Sequence, residues 1–433
     1  MKTRLSLTQP MREKSALFAA IALCGLCAAG AAAEKQAKTL DYRLGATVKE
    51  TYDSNVYLQD KKPDPAVVGA APADKDSFVT SIIPSAGLTW RPAEGWTLSA
   101  DYTPEITRYH AAPSENYDRH LVQIGLDGEA SGVPIRQRNT IVVIDGDNEG
   151  LIFGGPGGAP AIGGVPLRNR RDQFVYKGNI RFTLSSGKWF VRPLATGYVH
   201  DFWTKQYLAA ERPGYENYID RAEGVGGVDV GREICENTRF YLSYRYGYQF
   251  QGNLRNIARH SDNHINRILF GLEGSPAPWL KLDILLGPDI RDMSYDPDPR
   301  VQDPHAVVYI DSHATITPTK NDAVTLTVVR YEQPAFASLT VYEDITYDVA
   351  WRHQCLPNLA MTAGFRAYIG DWRAPANRED WIYTPRVSFA YTVNKHLQLS
   401  AGYSYDWVDS AVADTAGREF TRHLVFLSGR CAY

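Results

Sequence analysis

The residues of this 433-residue chain best suited to chemistry near neutral pH are its 10 histidines, its five cysteines and the carboxylates beside them. Nucleophilic hydrolysis needs a hydroxyl or thiol within reach of an imidazole. The sequence offers His260 beside Ser261 and Asp262, His200 beside Asp201, and His110 alone. Neighbours on a strand point to opposite faces, so adjacency of this kind does not build a catalytic pair. There is no G-x-S-x-G elbow and no H-E-x-x-H zinc helix. No catalytic residue is assigned, and a hydrolase is the least favoured reading. Cys235, Cys355 and Cys431 are far apart and lack a C-x-x-C or clustered histidines, which predicts isolated thiols, no metal centre and no cofactor. Asp292, Asp296, Asp298 and Asp303 offer hard oxygen ligands to calcium, but the EF-hand spacing and its closing Glu are missing, and the intervening prolines predict an extended loop.

A larger set of charged residues has a different spacing. From Leu40 to Tyr433, polar and apolar residues take alternate positions in segment after segment, the period of a β-strand. Trp96, Leu98, Ala100, Tyr102, Pro104 and Ile106 stand opposite Asp101 and Glu105. Phe240, Leu242, Tyr244, Tyr246 and Tyr248 oppose Arg245, and Leu280, Leu282, Ile284, Leu286 and Ile290 oppose Lys281, Asp283, Asp289 and Arg291. The same polar face takes in Arg43, Lys177, Arg181, Asp344, Asp348, Arg352, Arg366, Arg386 and Asp406. Both signs are present in near balance, with no ring of one charge, so these positions are expected to line a wet wall suited to small polar solutes or saccharides.

The elements that carry them are long. Strands of a sandwich run about 5 or 6 residues, whereas alternation here persists for twice that, the length a tilted strand needs to cross a bilayer. Connections alternate as well. Brief turns at Pro92-Ala93-Glu94-Gly95, Gly132-Val133-Pro134, Ser186-Gly187-Lys188, Glu236-Asn237-Thr238, Pro276-Ala277-Pro278, Lys320-Asn321-Asp322, Leu356-Pro357-Asn358 and Asn394-Lys395 are separated by longer segments at 59–76, 111–117, 151–171, 206–218, 254–262, 296–304, 336–339, 374–379 and 411–418. Short turns on one rim and long loops on the other mark an outer-membrane barrel. Backbone groups in hydrocarbon find no water, so a spanning sheet must close on itself. The expected fold is therefore all-β: a closed antiparallel transmembrane β-barrel of about 18 strands, with short periplasmic turns and long extracellular loops. A count of 16 is the alternative, because residues 219–235 and 305–318 alternate poorly. Trp90, Trp96, Trp189, Trp279, Trp351, Trp372, Trp381 and Trp407 fall near strand ends, where interfacial rings are expected.

Residues 1–33 read as a signal peptide: Lys2, Arg4, Arg12 and Lys14, then an apolar run, then Ala31-Ala32-Ala33. Leu23 and Leu26 precede Cys24 and Cys27 where a lipoprotein would carry a small residue. Residues 34–433 are expected to form one barrel domain. The whole chain has a formal net charge of −3, and losing the basic leader makes the rest more acidic, which argues against nucleic acid as a partner. The expected partners are outer-membrane lipid, a polar solute or saccharide, and the barrel-assembly machinery during insertion. The last segment, with Val425, Leu427, Gly429 and Cys431 on one side and Tyr433 at its end, resembles the terminal signal that this machinery reads. A monomer is the expected state.

At the opening, KETYDSNVYL (Lys49 to Leu58) runs from a first strand into Y-D-x-N-V ahead of a loop and a long series of hairpins. This resembles the beta-barrel porin 2 family of bacterial outer-membrane porins and related barrels of exopolysaccharide loci. The resemblance implies a pore in the outer membrane of a Gram-negative-type bacterium, with no catalytic residues to carry over. The expected function is passive diffusion of small polar solutes or saccharides; the alternatives are exopolysaccharide export and a structural or adhesive barrel. The Gly- and Pro-rich segment 151–171 is the candidate for a loop that narrows the bore, a mobile external loop being the other reading.

Overall fold

The computed structural model describes residues 39–58, 76–147, 171–208, 210–211, 217–252, 262–294, 305–334, 341–372, 377–412, 415–416 and 420–433. Within them lie eighteen wall strands. The first six are β1 (Thr39–Asp53), β2 (Ser77–Arg91), β3 (Thr97–Tyr109), β4 (Tyr117–Ala130), β5 (Val133–Asp147) and β6 (Arg171–Phe182). Then come β7 (Trp189–Phe202), β8 (Arg221–Cys235), β9 (Thr238–Gln251), β10 (Asn263–Ala277), β11 (Leu280–Met293) and β12 (His305–Thr319). The circuit ends with β13 (Asp322–Pro334), β14 (Val341–Leu356), β15 (Leu359–Trp372), β16 (Arg378–Thr392), β17 (Leu397–Val412) and β18 (Thr421–Ala432). Each pairs antiparallel with its neighbours in sequence. β18 lies between β17, with Leu397 opposite Cys431, and β1, with Gly45 opposite Ala432, so the sheet closes without an edge.

Closure sorts side chains by parity. Register carries Tyr42 to Leu88, Ile82 to Ile106 and Leu242 to Phe270, all large, apolar or aromatic, and exposed on the outside. Their sequence neighbours point into the ring. The outward set includes Leu44, Val48, Leu286, Val349, Phe365, Leu399 and Leu427, a surface that only hydrocarbon satisfies.

Arg221–Cys235 and His305–Thr319 are both full strands, so the count of 18 holds and that of 16 does not. On β8 the outward positions opposite Tyr246 and Tyr248 are Gly226 and Gly224, which blunts the apolar alternation without breaking the pairing. The turn expected over Gly132-Val133-Pro134 falls one residue earlier, because Ser131 and Gly132 take positive φ (51° and 79°) in a two-residue hairpin while Val133 and Pro134 join β5. Two of the tryptophans depart from an interfacial girdle. Trp96 is buried against Gly128, and Trp372 is buried inside the ring, stacked on Tyr342 at 4.8 Å.

Candidate functional site

All sixteen charged residues singled out by their spacing lie on the inner face. Most are held in cross-strand pairs. The inner face of β2 carries Gly87 between Arg43 and Asp101, and a Cβ there would collide with both; in its absence Arg43 Nη2 meets Asp101 Oδ1 at 2.8 Å across the strand. Gly364 does the same on β15, letting Arg386 reach over it to Asp348 with two bonds of 2.7 and 2.9 Å. Over Gly227 lies Arg245, whose Nη1 is 2.6 Å from Asp229. Wall glycines thus let long side chains lie flat along the wall. Glu105 pairs with Arg119 at 3.4 Å, and Asp406 accepts from Thr384 at 2.7 Å. Asp289 accepts from Arg267 at 2.9 Å and from Arg291 at 3.0 and 2.8 Å, all three buried.

The rest have looser company. Lys177 stands over the Tyr198 ring at 5.6 Å, and Asp283 faces Glu273 and His313 in register. Arg181 faces Arg136, Arg366 faces Asp348, and Arg352 and Lys281 face only small or hydroxyl residues. Sequence spacing missed Arg119, Arg136, Arg138, Arg192 and Arg267, although their parity was the same and a strict count along each strand would have found them.

At the long-loop end of the ring, an element that spacing did not single out gathers bonds from several strands. The ladder between β12 and β13 stops at Ile310 and Arg330, while β13 stays paired with β14 up to Pro334 and Val341. There Arg291 of β11 donates to the Glu332 carbonyl at 3.1 Å, and Arg221 of β8 donates to the Pro334 carbonyl at 2.8 Å. Gln333 donates to Asp344 at 2.9 Å and to Tyr342, which is fully buried beside Trp372. His305 and Glu332 close the cluster at 2.7 Å. Segment 151–171, the expected constriction, lies outside the described residues except for Arg171 at the head of β6.

The segment after β1 turns into the same mouth. Asp53 takes two bonds from Arg422 at 2.9 and 2.6 Å and one from the Asn55 amide at 2.9 Å, clasping β1 to β18. Beyond it Val56 packs with Val79 and Tyr109, and Leu58 packs with Tyr368, Ile382 and Val408.

The nucleophile candidates do not converge. His200 bonds Gln173 at 2.7 Å on the inner face, whereas Asp201 has the opposite parity. His110 meets Thr80 at 2.8 Å on the exposed side. Asp262 accepts from the Gln251 amide at 2.7 Å, and His260 and Ser261 lie outside the described residues, as do Asp296, Asp298 and Asp303 of the acidic loop. Cys235, Cys355 and Cys431 are exposed and unbridged.

Just above the rim of β8, Asp220 is a titrating group outside the wall. Burial, and then the charge of Asp201, push its carboxyl up to about 7, against one amide bond from Phe202.

An apolar belt outside, charges inside and a ring without edges are the anatomy of an outer-membrane pore. Residues 313–433 match the family model described as "Putative beta-barrel porin 2". The chain is a closed outer-membrane β-barrel, and the family that its opening strand resembles is the one whose model its last third matches. No curated protein matches it in sequence. Among solved structures it is similar to the outer membrane protein OpdK from Pseudomonas aeruginosa, at 10% identity over 91% of this chain and 99% of that one, TM-score 0.43. OccK3 (OpdO) of the same organism gives 9% identity over 90% and 96%, TM-score 0.46. A BenF-like porin from Pseudomonas fluorescens Pf-5 gives 10% over 91% and 99%, TM-score 0.44. With scores this low, the barrel rests on its own strand pairing.

Proposed function

We propose that this barrel is a passive diffusion channel for small polar solutes, saccharides among them. The observation that carries the reading is solvent exposure inside a closed ring: Arg43 is 55% exposed, Arg136 52% and Asp101 40%, although all three point inward. Inner side chains of an edge-free sheet meet water only if the bore holds it, which a ring of this size allows. The ring closes on its own strands, which supports a bore that one chain completes. The folded-in end of β13 supports a small solute over a polymer, because Arg221, Tyr342 and Trp372 take up room at the outer mouth.

Planar-bilayer recording tests this. Purified barrel is expected to give discrete conductance steps, and the pair Arg221→Ala with Tyr342→Ala is expected to raise the step size by about half or more by freeing the end of β13. A wild-type protein that inserts but never conducts overturns the channel reading in favour of a structural or adhesive barrel.

A further inference from the structure

We propose that three tyrosine–histidine pairs on the outer face of the wall bind the acyl carbonyl groups of lipid at the long-loop rim, and so fix the depth and tilt at which the barrel sits. The inference needs only the closed barrel and stands whether or not the bore conducts.

The pairs repeat one geometry. Tyr102 of β3 is in register with Val122 of β4, and its hydroxyl lies 2.9 Å from Nδ1 of His120, two residues nearer the long-loop rim. In the same way Tyr246 of β9 is in register with Asn266 of β10 and meets His264 at 3.2 Å. Tyr403 of β17 is in register with Val425 of β18 and meets His423 at 2.9 Å. Each imidazole stacks on its tyrosine, with ring centroids 6.1, 6.2 and 6.1 Å apart. Tyr102, Tyr246 and Tyr403 belong to the exposed outward set, so all three pairs face lipid. His110 and His353, also outside, meet Thr80 and Asp322 instead.

The order of outward residues sets where the pairs sit. On β1, β5 and β11 the outer face passes in one step from apolar to acidic, Val48 to Glu50, Val143 to Asp145 and Ile290 to Asp292, which places the edge of the hydrocarbon between them. On β4 a histidine is interposed, in the order Val122, His120, Asp118, and on β18 the order is Val425, His423, Thr421. On β10, Asn266 and His264 stand between Ile268 and Asp262. The imidazoles therefore occupy the boundary itself, the layer in which lipid presents its ester and amide carbonyls.

The tyrosine bond fixes what each ring offers to that layer. A phenol donates better than it accepts, so the hydroxyl donates to Nδ1 and the proton of the neutral ring is on Nε2. A protonated ring also keeps an Nε2–H. Among the described residues this N–H has no protein acceptor. A donor left unmatched at the edge of hydrocarbon is costly, and a lipid carbonyl satisfies it. Headgroup phosphate fits less well beside the acids just above, Asp118, Asp262 and Asp292, although Arg108 offsets the first. Three points at β3–β4, β9–β10 and β17–β18, spread around the ring, hold depth and tilt together.

Urea unfolding of the whole barrel tests the proposal, run from vesicles of ester-linked phosphatidylcholine and of its ether-linked analogue, which lacks the carbonyls. Wild type is expected to favour the folded state about tenfold or more in the ester lipid over the ether lipid. The triple variant His120→Phe, His264→Phe, His423→Phe keeps a ring at the boundary and is expected to unfold equally from both. Each single His→Phe variant is expected to lose about a third of the preference, which keeps the test open if the triple variant does not fold. Tyr102→Phe with Tyr246→Phe and Tyr403→Phe frees the tautomer and is expected to lose part of it. A wild type indifferent to the linkage, or folded His variants that keep the full preference, overturns the proposal. So does a preference that follows headgroup charge, a gain in phosphatidylglycerol over phosphatidylcholine of the same linkage that the His variants lose, which assigns the pairs to phosphate.

Discussion

Asp53 shows what one residue of a short motif does in this fold. It is nearly inaccessible, and its carboxylate is the main partner of Arg422 across the seam where the last strand meets the first. Among the described residues, Asp53→Ala leaves the Arg422 guanidinium with Asp406 at 3.9 Å as its remaining carboxylate, and breaking a pair this buried costs about 3 kcal/mol. Urea unfolding in micelles should show that loss, and the double variant Asp53→Ala with Arg422→Met should recover much of it. Asp220 makes a pH prediction. A carboxyl raised in the folded rim stabilises it fully only below its ordinary value of about 4, and that stability drains away as the pH rises to about 7 and then levels off. Hydrogen exchange of residues 217–220, corrected for intrinsic rate, should therefore be slower at pH 4.5 than at pH 7.5, and Asp220→Asn should flatten the difference. Neither effect was legible in the sequence: Asp53 and Arg422 are 369 positions apart, and Asp220 titrates high because burial and Asp201 meet there.

At the scale of the element, alternation alone assigned the strands, since period two places every side chain on one of two faces. It failed where the outward face carries no bulk, as on β8, and where a strand end parts from one neighbour, as β13 parts from β12 beyond Arg330 while keeping β14. Leaving a ladder is decided by what the freed end can bond, and Arg221, Arg291 and Tyr342 come from three other strands. Inner glycines carry a role that spacing does not reveal either. Gly87→Leu should force Arg43 and Asp101 off the wall and into the water, lowering single-channel conductance while β1, β2 and β3 still pair. Unchanged conductance in a folded variant would show that the flat pair leaves the bore no wider.

For the whole molecule, salt tests how far the charges of the wall act across the bore. The screening length falls from about 10 Å at 0.1 M to about 3 Å at 1 M, so any ion preference set by charges across an open bore should decay toward none over that range. Selectivity that persists at 1 M would point to direct contacts with the ion in place of the field. The sequence by itself determined that this chain is a closed outer-membrane barrel and which face each residue takes, because lipid outside and water inside impose period two on every wall strand. Only the tertiary structure decided which charges pair and what the end of β13 meets at the long-loop rim. Those outcomes depend on side chains that meet across strands remote in sequence, a geometry set by register, by glycine-sized gaps and by closure of the ring.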